Sequence, residues 1–433
     1  MSLSLPWRRC RLRPAPLLAA AAAALACLAA TAQTGLSIDQ AVALAAGASR
    51  LVAASEAQAR ATRELAVAAG RLPDPVLKLG LNDLPINGPD RWSLTRDADT
   101  QRSIGVMQEF TRADKRAARS ERAGHEVGLA EAARRQTVAE LQRDTALAWL
   151  DRSFQESMRE QLQQQVDHAL LQVQAAETLY RNGRGARAEV YAARGEVEAL
   201  RDRIDEVERE IEVATTRLAR WIGDAARQPL AARPALQRPA WAADAPAAPL
   251  DRHPAVAAQR QQEAAAESEA RLAAANRRAD WSVELMYSQR GPAYSNMVSI
   301  NLSVPLQWDQ KNRQDRELAA REALVEQARA RREDAERATR AELSAWLQQW
   351  RSHEQRLRRH DQALLPLAQQ RSAAALSAYA AGSGALTAVL EARRDALQVH
   401  LERLRIELDL ARIWAQLAFL MPQDGAMTPG TTP

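Results

Sequence analysis

The sequence of 433 residues predicts a mainly α-helical protein with a small β part, in which one structural unit occurs twice. Three observations carry this. A tip-like stretch is doubled: YRNGRGARAEVYAAR at 180–194 and YAAGSGALTAVLEAR at 379–393. At the constant offset of 199 residues that separates Tyr180 from Tyr379, Gly183 meets Gly382, Gly185 meets Gly384, Val190 meets Val389 and Arg194 meets Arg393. Each copy sits between two stretches of helical period, and its Gly-x-Gly break interrupts that period, so each predicts the tip of a helical hairpin. Ahead of each hairpin lies a pair of short segments whose apolar residues alternate with period two.

The returning helices define the packing. Val190, Ala193, Val197, Leu200, Ile204, Val207, Ile211, Ala214, Leu218 and Trp221 step by three and four, the spacing of a coiled-coil seam. The second copy keeps the frame from Val389 to Leu420, broken only by Arg403, and carries another seam through Leu397, Leu401, Leu404, Leu408 and Ala411. A helix with two seams has neighbours on two sides, as a stave in a wall of helices does. Aromatics are only 4% of the chain, which favours such extended packing over a compact enzyme core.

In chain order, residues 1–32 form a secretory signal: Arg8, Arg9, Arg11 and Arg13, an apolar run over 17–30, and the small-x-small site Ala30-Thr31-Ala32. Removing the four arginines takes the formal charge from +5 to +1, so the basic balance does not argue for nucleic acid. Both cysteines, Cys10 and Cys27, lie in this segment, and cleavage after Ala32 leaves none; Cys27 as a lipid-modified N-terminus ranks second. No later run of 18 apolar residues predicts a transmembrane helix.

The first structural repeat spans 33–223. It opens with an Ala-rich helix over 36–72, stopped by Pro73 and Pro75, and continues with a strand pair within 76–110. A helix of about 70 residues, roughly 100 Å, then leads to the tip near Gly183. Six prolines between Asp224 and Pro254 mark a linker or equatorial segment. The second repeat, 255–421, holds a strand pair within 281–306 and a helix over 310–381 bent at Pro366, with its tip near Gly382; a tail follows at 422–433. Within 296–306, Val298, Ile300, Leu302, Val304 and Leu306 oppose Ser299, Asn301, Ser303 and Pro305.

Four strands that are apolar on one side and polar on the other, in an exported chain, fit a membrane β-barrel. The plainer alternative is a soluble sheet capping a coiled coil. Four strands cannot close alone and lipid tolerates no open edge, so the membrane reading requires several chains. Three copies give twelve strands.

At this point nearly the whole chain resembles the TolC-like outer membrane factors of tripartite, RND-type efflux systems. The likeness rests on LSIDQAVALA at the start, the repeated helix, strand-pair and hairpin order, and the doubled tip. Within that family DPVLKLGLNDLPINGPD, SLTRD, SIGVMQEF and DKRAAR look most like the heavy-metal branch, of the cobalt-zinc-cadmium and copper-silver type. The resemblance implies a homotrimer with a 12-strand barrel in the outer membrane lipid of a Gram-negative bacterium, and long hairpins forming a periplasmic α-barrel. It also implies a tip opened by a periplasmic adaptor bound to an inner membrane pump. Gly183, Gly185, Gly382 and Gly384 are then the adaptor-facing turns, and Glu189, Tyr379 and Glu391 the gate or aperture, with Tyr379 holding neighbouring helices through its hydroxyl. Where many relatives carry an acidic residue six positions after the second turn glycine, this chain has Ala388. The implied function is a passive duct for heavy-metal cations. A duct for organic compounds or type I secretion remains the alternative within the family, and a periplasmic coiled-coil adaptor the alternative outside it. Two equivalent hairpins, where an adaptor has one, weigh against the latter.

His353 and His360, seven apart, and His400 invite a metal reading, but no Cys or acidic partner stands at ligand spacing, and seam packing or a place in a hydrated lumen is favoured. No Ser-His-Asp set, phosphate loop or carboxylate pair points to an enzyme or a cofactor.

Overall fold

The computed structural model describes residues 35–239, 250 and 253–420; the expected signal segment with Cys27, the middle of the Pro-rich segment and the tail 422–433 lie outside the described residues. The elements run α1 Ile38–Ala48, α2 Arg50–Ala69, β1 Val76–Asn82, β2 Gln101–Phe110, α3 Ala113–Arg181, α4 Arg187–Ile222, α5 Pro254–Ala275, β3 Trp281–Gln289, β4 Met297–Ser303, α6 Gln314–Arg359, α7 Leu365–Ala380 and α8 Leu386–Leu420. Helix, strand pair and hairpin thus follow one another twice. They group into two compact units, one from the described residues of 1–48, 144–236 and 357–411, the other from those of 49–143, 237–356 and 412–433.

Three boundaries differ from the sequence reading, each for a local reason. The opening helix is two helices, because Ser49 leaves the helical conformation and its Oγ accepts a hydrogen bond from Val52 N, capping α2. Ahead of Pro366, where the sequence predicts a bend, lies a π-helical turn over His360–Leu364 in which Leu365 N–H donates to His360 O, five residues back. Pro366 offers no N–H to the ladder, and the widened turn ahead of it absorbs the mismatch. β4 stops at Ser303, short of the expected Leu306, because Pro305 has no donor for the ladder and disturbs the residue before it.

In the first unit Trp149, Leu150, Phe154, Leu162, Leu218 and Ile406 are below 2% exposed. Most of both seams of α8 is buried: Val389, Ala392, Ile406 and Leu410 on one, Leu397, Leu401, Leu404 and Leu408 on the other. Arg403, which interrupts the first seam, pairs with Asp361 at 2.5 Å and Glu407 at 2.9 Å, so its charge is met where the seam lets it in. The start of the Pro-rich segment is docked on α3. Leu36 N donates to Pro229 O (2.7 Å), Ala231 N to Leu36 O (3.0 Å) and Trp149 Nε1 to Leu36 O (2.9 Å), while Arg233 lies 4.1 Å over the Phe154 ring.

In the second unit the strands form one antiparallel sheet ordered β1-β2-β3-β4. Its register places Leu79 opposite Ile104, Ile104 opposite Tyr287 and Tyr287 opposite Val298, with Val106, Leu285 and Ile300 forming the next row. Period two therefore collects the apolar residues on one face, and that face is bare: Leu79 and Ile300 are each 73% exposed. The other face is polar, with Ser103 and Ser288 buried and Lys78 paired to Glu284 at 2.6 Å. At one end of the sheet the partners Phe110 and Trp281 stack, centroids 4.4 Å apart. Just before β3, Asp280 accepts from Arg112 N (3.0 Å) and Lys115 Nζ (2.9 Å), tying the start of α3 to the sheet. Charge pairs staple the helices: Arg332–Glu263 and Arg321–Glu269, each at 2.5 Å, join α6 to α5. No described helix is long and apolar enough to cross a membrane.

Candidate functional site

Both hairpin tips lie in the first unit, and they close by the same hydrogen bonds. After α3, Gly183 N donates to Tyr180 O (3.0 Å) and Arg184 N to Leu179 O (2.9 Å); after α7, Gly382 N donates to Tyr379 O (3.0 Å) and Ser383 N to Ala378 O (3.0 Å). This pair of bonds satisfies the last carbonyls of each helix and requires a left-handed residue, which Gly183 and Gly382 supply with φ of 72° and 75°. Gly185 and Gly384 serve a different need. A Cβ on either would lie 3.1 Å from the side chain of Leu179 or Ala378, closer than ordinary packing, so the chain passes tight against the helix it has just left.

Behind the turns the two hairpins share a core of Ala176, Val190, Ala193, Leu386, Val389 and Leu390, with Tyr379 packed against it. The Tyr379 hydroxyl is buried without a hydrogen-bond partner. Burial, and after it the negative charge of Glu189, raise its pKa above the ordinary phenol value. The two expected gate residues are thus brought within electrostatic reach, but no hydrogen bond joins them: the Glu189 carboxylate accepts at 3.4 Å from Ala186 N at the start of its own helix. Glu391 is exposed, and its charge adds to the hold of Glu196, 2.5 Å away, on Arg394. The position equivalent to Glu189 in the second hairpin is Ala388, which repeats the backbone bond, Ala388 N to Ala385 O, and lacks the carboxylate.

Three solved structures resemble the chain over most of both lengths. The outer-membrane channel OprN matches with a TM-score of 0.71 and 18% identity, over 88% of this chain and 89% of its own. CusC, described in terms of folding and transmembrane channel formation, gives 0.74 and 15%, over 90% and 93%. The outer membrane protein VceC of Vibrio cholerae gives 0.69 and 17%, over 87% and 96%. The chain has the outer-membrane channel fold. No sequence-family model and no curated protein matches it, so the likeness is one of fold.

Within the outer-membrane channel fold of this chain the histidines do not gather. Among the described residues no three His, Cys, Asp or Glu side chains stand together as metal ligands. His360 is buried in the π-helical turn, and burial together with Arg403 lowers the pKa of His400. Sequence reasoning passed over the residues that join the hairpins across the tip, Arg394 with Glu196 and Arg393 with Gln172. The amide oxygen of Gln172 accepts from Arg393 Nη1 (2.7 Å) and Nε (2.8 Å) when the amide is oriented to satisfy both groups. The signal was present: overlaying the repeats puts Leu376 where Glu177 stands, so Arg393 could not pair as Arg194 does.

Proposed function

We propose that the chain is the outer membrane channel of a tripartite efflux system, a passive duct with no catalytic step, and that its cargo is heavy-metal cations delivered by an inner membrane pump through a periplasmic adaptor. The observation that carries the duct is the bare apolar face of the four-strand sheet backed by a polar face. In water such a face is a liability, whereas in lipid it is what a barrel wall requires, provided that other copies pair with β1 and β4. A homotrimer in the outer membrane supplies twelve strands. The tip turns at Gly183 and Gly382 are proposed to meet the adaptor, and Glu189, Tyr379 and Glu391 to set the aperture. Support for the cargo comes from the residues that look like the heavy-metal branch, DPVLKLGLNDLPINGPD, SLTRD, SIGVMQEF and DKRAAR.

Deleting the protein from its host and measuring cell-associated zinc, cobalt, cadmium and copper tests this. Accumulation of at least one metal, reversed by the wild-type chain, is expected. Unchanged metal content together with hypersensitivity to organic compounds would replace the cargo and keep the duct.

A further inference from the structure

Because the two hairpins of the first unit are repeats, their charged side chains can be compared position by position. In the first, Arg194 pairs with Glu177 at 2.6 Å. At the repeat offset Arg194 becomes Arg393 and Glu177 becomes Leu376: the guanidinium is kept and its carboxylate is lost. The neighbouring arginines are paired, Arg371 with Asp395 at 2.6 Å and Arg394 with Glu196 at 2.5 Å. Arg393 is not, and it meets only the neutral amide of Gln172, a residue 7% exposed. Burial pulls its pKa below the ordinary guanidinium value, and no carboxylate opposes that pull.

Arg393 faces a cavity of about 180 Å³. Gln172 and Tyr379 line it beside Arg393, and the exposed Leu171 and Leu376 form an apolar wall. Tyr379 brings the buried hydroxyl that has no partner. A half-buried cation, an unused donor and an apolar wall in one cavity match an anion that carries a hydrocarbon tail. An acidic side chain reaching in from another molecule would meet the charge and leave the wall bare, whereas a free carboxylate with a short tail uses both.

We propose that this cavity binds a small amphiphilic monocarboxylate, with its carboxylate on Arg393 and its alkyl chain against Leu171 and Leu376. The site does not rest on the export reading, since it is defined by the chain's own charge balance. Occupancy ties α8 to α3 and α7 behind both turns.

Isothermal titration of hexanoate into the purified full-length protein in detergent tests it, with 1-hexanol as the uncharged control. Saturable binding is expected, weakened by about tenfold or more in Arg393→Gln and for hexanol, the loss that follows removal of a charge-assisted bond. Leu376→Glu recreates the carboxylate of the first hairpin at a position 41% exposed, so it should fold normally and abolish binding. Absence of saturable binding, equal binding by both variants, or hexanol binding as tightly as hexanoate would overturn the proposal.

Discussion

Gly183 and Gly382 sit in the left-handed region with open space around them, so a side chain there meets backbone strain rather than a clash. Replacing either with Val is expected to cost about 1–2 kcal/mol and to reduce export while oligomers persist in the membrane. Unchanged export in both variants would contradict the adaptor-facing assignment. At Gly185 and Gly384 the reason is proximity, and Ala is expected to shift the chain by a few tenths of an ångström with a smaller loss, read as a change in melting temperature. Asp280 makes a second residue-scale test. Burial alone would raise its pKa, but hydrogen bonds from Lys115 and Arg112 N outweigh that and hold it below the ordinary carboxylate value. A folded pKa below the unfolded one means that the pair contributes in full above the unfolded value, about 3.9, and is lost as the pH falls through the lower folded value. Because the Lys115 side chain is 5% exposed, Asp280→Asn strands a buried cation and should cost about 3 kcal/mol near neutral pH in chemical unfolding. The tip glycines were legible because they recur at one offset. The Asp280 contacts were not, since residues 165 and 168 positions apart meet only once the sheet has formed.

At the scale of elements, periodicity carried most of the information. Period two located all four strands, and the three-and-four steps located both returning helices, because burial on one face or one stripe is the same physical demand in sequence and in structure. Where the reading slipped, a single hydrogen bond decided: the one that Ser49 Oγ accepts from Val52 N to cap α2, and the ladder bond that Pro305 cannot donate. The sheet supplies the sharpest element-scale prediction. Ile300 is on the bare apolar face and Asn301 on the polar one. In lipid, Ile300→Lys should cost about 2–4 kcal/mol of folding stability, measured by urea titration in vesicles, and Asn301→Lys much less. Equal effects would return the sheet to the role of a soluble cap.

For the molecule as a whole, β1 and β4 each leave one edge unpaired, and an unpaired edge is incompatible with a lipid-facing sheet. Under the proposed membrane role, closure comes from other copies of the chain. In the sequence this is legible only indirectly, through strands too few to close, and the proposed number of copies, three, comes from the resemblance to the outer membrane factors rather than from any residue. Native mass spectrometry of the protein extracted from outer membranes in mild detergent tests the central claim most directly. A single species at three times the chain mass, dissociating only under denaturing conditions, is the predicted result. A stable monomer integrated in the membrane would contradict the account.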